Sequence, residues 1–208
     1  MCNLYRMSKS QDEVADFFRA MASELAIPPA GNAPAMIYPG YPGIVFTGDA
    51  LLQMVWGFPL QRKGAKGQPL KPKPVNNARS DKLSSPFWAA SFRERRCLIP
   101  VGAFAEAEGQ KGAMTRTWFA MPDGELMAIA GLWRNSAEWD AAYTMVMTQA
   151  NETIAPIHNR MPVILPRESW ASWLGGDAHE AAALCQPYED SLKVTRTDTP
   201  WFARSAQS

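Results

Sequence analysis

The chain has 208 residues, 47% of them hydrophobic and 20% charged, a length and balance that exclude a disordered polypeptide and leave room for a large core. The formal net charge of +1 singles out no class of partner, and the three cysteines, Cys2, Cys97 and Cys185, include no CxxC pair, which argues against a disulfide-stapled secreted domain and a structural zinc site. No stretch reads as a signal peptide or reaches the ~20 apolar residues that cross a bilayer, so a reducing, cytoplasmic setting is expected.

Cys2 stands directly behind Met1. Were Met1 removed, Cys2 would present an α-amine and a thiol on adjacent carbons, a pair that reacts with aldehydes as no internal cysteine does; the alternative is a small buried residue early in a strand. Ser10 and Glu13 form a capping box, and Val14, Phe17, Phe18, Met21 and Leu25 recur at helical spacing, which predicts a helix of about four turns. IPPAGNAPAMIYPGYPG is too rich in Pro and Gly for regular structure. GIVFTG and LLQMVWGF read as a strand hairpin turning at Gly48 and Asp49.

Net charge conceals a local excess: from Gln61 to Arg96 there are ten Lys or Arg against Asp81 and Glu94 alone. This is the footprint of a polyanion-binding surface, or else a solvated loop with solubilising charges. The prolines and glycines of QRKGAKGQPLKPKPVNNARSDK predict a long loop. SPFWAASFRERR predicts a short helix with Pro86 in its first turn and basic residues at its C-terminal end. From Cys97 the pattern is mainly β, through CLIPVGAFAEAEG, TRTWFAMPDGELMAIAGLW with a hairpin turn at Asp123-Gly124, AAYTMVMTQAN and RMPVILP. RESWASWLGG and DAHEAAALCQ read as helices, and LKVTRTDT as a closing strand. No repeat or linker stands out. The economical architecture is one domain over residues 1–208, of α+β class, with a mainly antiparallel, barrel-like β core and peripheral helices.

Four positions carry candidate chemistry beyond Cys2. His158 lies in a polar loop running into a buried strand, whereas His179 falls on a surface helix and reads as inert. Glu106 ends the apolar run VGAFAE, where partial desolvation would raise its pKa towards the range useful for proton transfer. Asn77 and Arg79, in VNNARSD, either hold a sugar hydroxyl and a phosphate or simply build a turn.

The ordered set MC, VWGFP, NNAR, RRCLIPVGAFAE, AIAGLW and TQAN...IHNRMPVIL resembles the SOS response-associated peptidase family, the SRAP or abasic site processing proteins, over nearly the whole chain. The resemblance implies a basic groove for single-stranded DNA and removal of Met1, exposing Cys2 to capture the aldehyde of an abasic site. It implies catalytic positions at Cys2, Asn77, Glu106 and His158, with Arg79 and Trp56 contacting DNA; Arg6, Lys71, Lys73 and Trp88 are further candidates for that contact. Abasic single-stranded DNA is thus the expected partner of a monomer without cofactor, metal or membrane, associated with the nucleoid when bound. Strand cleavage by β-elimination from an imine is a further activity on this reading. Two departures stand out: Leu4 replaces an arginine common in the family, and Ala105 and Ala107 replace aromatic residues flanking the glutamate. The rival readings are a peptidase acting on other proteins and a non-covalent DNA-binding module with a structural Cys2.

Overall fold

The computed structural model describes residues 2–19, 21–22, 25–27 and 34–202. Among the described residues, fourteen strands occur in the order β1 (Tyr5–Arg6), β2 (Met36–Ile37), β3 (Pro42–Phe46), β4 (Leu51–Trp56), β5 (Phe58–Lys63), β6 (Pro69–Val75), β7 (Asn77–Arg79), β8 (Arg96–Val101), β9 (Ala103–Glu108), β10 (Thr115–Ala120), β11 (Met127–Ser136), β12 (Asp140–Gln149), β13 (Arg160–Pro162) and β14 (Lys193–Pro200). Four short α-helices accompany them among the described residues: α1 (Gln11–Phe18), α2 (Ala89–Glu94), α3 (Trp170–Gly175) and α4 (Ala178–Ala183).

Strands β11, β8, β3, β4 and β12 pair in that order, and a further β11–β12 pairing closes them into a five-stranded barrel. Closure leaves those strands without a free edge. The ten-residue β12 is the hub. Its first half pairs with β11 and β4, and its second half with β13 and β7. The inward faces supply Val45, Met54, Trp56, Ile99, Ile129, Tyr143, Met145 and Met147 to one buried cluster. A second sheet, β14-β10-β9-β1-β2, adds Tyr5, Phe104 and Phe119 to that cluster and brings the amino terminus against the barrel. Phe18 of α1, Phe92 of α2 and Trp170 and Trp173 of α3 bury the outer face, with Phe18 stacked on Phe46 at 4.5 Å. No helix among the described residues is long and apolar enough to cross a membrane.

The β3–β4 hairpin, the mainly β second half and the helices at α3 and α4 agree with expectation. Other elements do not. The capping box at Ser10 forms with both reciprocal bonds, but α1 ends at Phe18 because the chain turns back, Met21 N–H donating to the Phe18 carbonyl, and reaches a bridge between Ala26 and Ala50. Met21 and Leu25 still pack on the core from outside the helix, and residues 20, 23 and 24 lie outside the described set. The basic segment expected to be a loop contains the β5–β6 hairpin instead. Its prolines fit because a two-stranded ribbon has outward-facing N–H positions that need no partner. Helix α2 starts at Ala89, after Pro86 rather than around it. The turn at Asp123-Gly124 forms, with Gly124 at φ +79°, but it is no hairpin: β10 pairs with β9 and β14 while β11 belongs to the barrel, so the turn carries the chain between sheets.

Candidate active site

Cys2 precedes β1 and is fully buried in the barrel cluster. Two amides converge on its carbonyl: Asn77 Nδ2 donates at 2.8 Å and Asn76 Nδ2 at 2.9 Å. The second amide also reaches Asn3 Oδ1 at 3.0 Å. Neighbouring residues of a strand normally point to opposite faces, but Asn76 lies just before β7, where the chain has not yet entered the sheet. Its backbone is fixed as well, for the Asn76 carbonyl accepts from the Trp56 indole N–H at 3.1 Å and from Met145 N–H at 3.1 Å. Asn76 carries no assignment from sequence reasoning, which singles out only the second asparagine of NNAR. The doubled asparagine is the signal that could have found it.

Glu106 sits on β9 two residues beyond Phe104, on the strand face that meets the barrel cluster, and is only 3% exposed. Burial pushes its carboxyl up to about 7, against the opposing pull of the chain's terminal ammonium. Burial first, and then the Glu106 carboxylate, push the Cys2 thiol far above its ordinary range; the thiol donates to the Leu4 carbonyl at 3.6 Å. Cys2 and Glu106 are thus electrostatic neighbours. Neither Cys97 nor Cys185 has such company, since burial alone is the cause at each.

His158 comes from the turn-rich loop before β13 and is half-buried, and burial lowers its pKa below the usual 6.5, with the terminal ammonium adding to the effect. At pH 7 the ring is neutral. Its Nδ1 lies 3.0 Å from the Arg160 N–H and 3.1 Å from the Arg160 carbonyl, so it accepts in one tautomer and donates in the other. Both tautomers are supported by the same residue, which suits Nε2 to either side of a proton transfer.

The remaining predicted residues separate into surface and core. Arg79 is exposed and forms a paired contact with Asp81 at 2.9 and 2.5 Å, a carboxylate that Arg160 also approaches at 3.6 Å. Lys71 and Lys73 project from β6 into solvent. Trp56 and Trp88 depart from the expectation of direct DNA contact, for both are buried: Trp56 packs edge-on to Tyr5 at 5.0 Å, and Trp88 packs on Phe58 and Phe87. The Trp56 indole N–H instead holds the carbonyl of Asn76. Arg6 is exposed, on the face of β1 opposite the buried Tyr5, with its guanidinium over Trp118 at 4.9 Å. That face also accounts for the departures at Leu4 and Ala105. Both are buried in one small cluster with Ala103 and Trp118, and the Ala105 N–H donates to the Leu4 carbonyl at 2.9 Å, so a leucine and a small residue fill together one packed space.

Fold and site together define a barrel protein whose second residue, a cysteine, is gripped by two amides beside a raised carboxyl. Residues 1–200 match the description "SOS response associated peptidase (SRAP)", and the chain belongs to this family. Abasic site processing protein YoqW of Bacillus subtilis is 32% identical over 155 residues, 69% of this chain and 66% of the relative. Abasic site processing protein YMR114C of Saccharomyces cerevisiae is 28% identical over 128 residues, 57% of this chain. The matches span just under two-thirds of the Bacillus protein and about a third of the yeast protein, at 66% and 34% of their lengths. A crystal structure of a Bordetella bronchiseptica protein superposes with a TM-score of 0.77 at 26% identity, covering 94% of this chain and 99% of that one. One from Bacteroides thetaiotaomicron shares the fold at a TM-score of 0.71 and 16% identity.

Proposed function

We propose that this protein processes abasic sites in single-stranded DNA by removing its own Met1 and trapping the ring-opened sugar aldehyde on Cys2 as a thiazolidine. The observation that carries the reading is the double amide grip on the Cys2 carbonyl, which fixes the residue bearing both nucleophiles next to Glu106. An internal structural cysteine has no need of it. The names of the relatives, abasic site processing proteins, support the same substrate.

The order of events follows from the two nucleophiles. A free α-amine has a pKa of about 7.7 to 8.0, so roughly a tenth or more of it is neutral at pH 7, whereas burial keeps the thiol protonated. The amine therefore attacks first: nitrogen bonds to the aldehyde carbon, and the carbinolamine loses water to give the imine. The thiol then adds across C=N, sulfur bonding to carbon and its proton passing to nitrogen, with one water lost overall. Glu106, poised near 7, takes and returns the protons of these steps, and His158 serves at the sugar oxygen during ring opening. Asn77 Oδ1, buried and without a hydrogen-bond partner among the described residues, accepts from the sugar or the new amine. Because the imine acidifies the adjacent C–H, β-elimination and strand cleavage are the side branch when ring closure is slow.

Intact-protein mass spectrometry, before and after incubation with an oligonucleotide carrying one abasic site, tests the proposal. The expected result is loss of Met1 and then a mass gain of the oligonucleotide less one water. Cys2→Ser should give an adduct only after borohydride reduction. A heat-stable, unreduced adduct from that variant would overturn the thiazolidine assignment.

A further inference from the structure

The proposed chemistry leaves one pocket of the surface unused. It lies on the outer side of the barrel between α2 and β11, has a volume of about 320 Å³, and is lined by Phe87, Ser91, Arg95, Arg134 and Asn135 among others. Arg134 spreads its guanidinium over two rings, 4.1 Å from the centroid of Phe58 and 4.7 Å from that of Phe87. Such stacking holds the planar fork at a fixed orientation. Arg95 and Arg134 line the same pocket; burial lowers the Arg134 pKa first, and the like charge of Arg95 adds to that against the larger opposing pull of Glu138. Glu94 meets Arg95 at Nη1, 3.0 Å away, from an exposed position, and Glu138, which opposes the repulsion at Arg134, is engaged by Gln61. Arg95 Nε remains buried with no hydrogen-bond partner among the described residues. A buried donor left without a partner is unfavourable, more so when charged, and a tetrahedral oxyanion is the acceptor that two neighbouring guanidiniums suit.

We propose that the Arg95–Arg134 pocket binds a phosphate group, and that in the working protein this phosphate belongs to the backbone of the DNA strand held at Cys2. The second clause rests on the function proposed above. Continuity supports it: Phe58, beneath Arg134, opens β5, and β6 leads through Val75 directly into Asn76 and Asn77. The hairpin between carries exposed Arg62, Lys63, Lys66, Lys71 and Lys73, with no acidic residue from 58 to 75. A basic ribbon thus joins the pocket to the site.

The test uses the full chain and an R95Q/R134Q double variant, neither position belonging to the proposed catalytic set. Inorganic phosphate alone, followed by 31P NMR, should bind the wild type saturably and the variant not at all. A 30-nucleotide strand with one tetrahydrofuran abasic analogue, which has no aldehyde, is then titrated across salt concentrations. The variant should bind it roughly tenfold more weakly at fixed salt, with a log–log salt slope shallower by about 0.7 for every phosphate that the protein no longer neutralises. Cross-linking to an abasic pentanucleotide should be unchanged. Wild type that ignores phosphate overturns the pocket; phosphate binding with equal affinity of variant and wild type for the 30-mer overturns its assignment to DNA. If the wild type never cross-links yet binds phosphate, the function proposed for Cys2 fails while the pocket stands. Thermal unfolding checks the fold, and should the double variant be unstable, R95Q alone, at a side chain 33% exposed, answers the same question.

Discussion

Burial at Glu106 acts on its carboxyl and on the stability of the fold together. Unfolded, this glutamate has a pKa near the ordinary 4.5; folded, it titrates at about 7. Below pH 4.5 both states hold the proton and no penalty arises. As pH rises through 7 the unfolded chain has already lost its proton while the folded chain must keep it or bury a charge, so stability falls across that window. Glu106→Gln removes the titration. The variant should equal wild type in urea unfolding at pH 4.5 and exceed it at pH 8, by on the order of 3 kcal/mol at most. Its cross-linking rate should be low and lack the inflection near pH 7 expected of the wild type. A constant stability difference across pH would show that the carboxyl is not desolvated, and would remove it as the proton carrier.

At the level of elements, the basic hairpin separates binding from folding. Lys71 and Lys73 lie on β6, exposed and outside every buried cluster, so neutralising both to Gln should leave the unfolding midpoint unchanged. DNA affinity should fall uniformly across sequences, and the salt slope with it, as measured by anisotropy on the non-reactive analogue strand. Unchanged affinity would move the DNA track away from β5–β6. The same hairpin shows where sequence reasoning stops. Its charge was legible from composition, but its strands were not, because three prolines in PLKPKP mask a pattern that only the one-sided pairing of a ribbon tolerates. Strands such as β8 and β12 were legible because their apolar runs are long and bounded by turns. The Asp123-Gly124 turn was readable as a turn but not as a crossing between sheets, since partners are chosen by the whole fold. At the site, Cys2, Glu106 and His158 carry their chemistry in their residue types and places, while Asn76 draws its role wholly from a contact 74 positions away in the chain.

The barrel as a whole bears on the site through its centre. Tyr5 and Tyr143 meet hydroxyl to hydroxyl inside the barrel, and Tyr5 packs on Trp56, whose indole holds the Asn76 carbonyl. Asn76 in turn grips Cys2. Opposite the two hydroxyls stands Gly43 of β3, where an added Cβ would strike both tyrosine oxygens. Those side chains are fully buried and cannot swing into solvent, so Gly43→Ala must displace β1 or β12. Overpacking of this kind costs about 1–3 kcal/mol. Because β1 carries the chain directly from Cys2, the same displacement should loosen the amide grip, and cross-linking should slow by at least the factor seen in Asn76→Ala. The two variants divide the causes. Asn76→Ala removes the amide's contacts to Cys2 and Asn3 at the edge of the core and should lower the rate with less stability loss than Gly43→Ala, read by urea unfolding beside single-turnover adduct formation. If Gly43→Ala is destabilised yet traps abasic DNA at the wild-type rate, the tyrosine pair only fills the barrel, and the position of Cys2 is set by the two asparagines without help from the core.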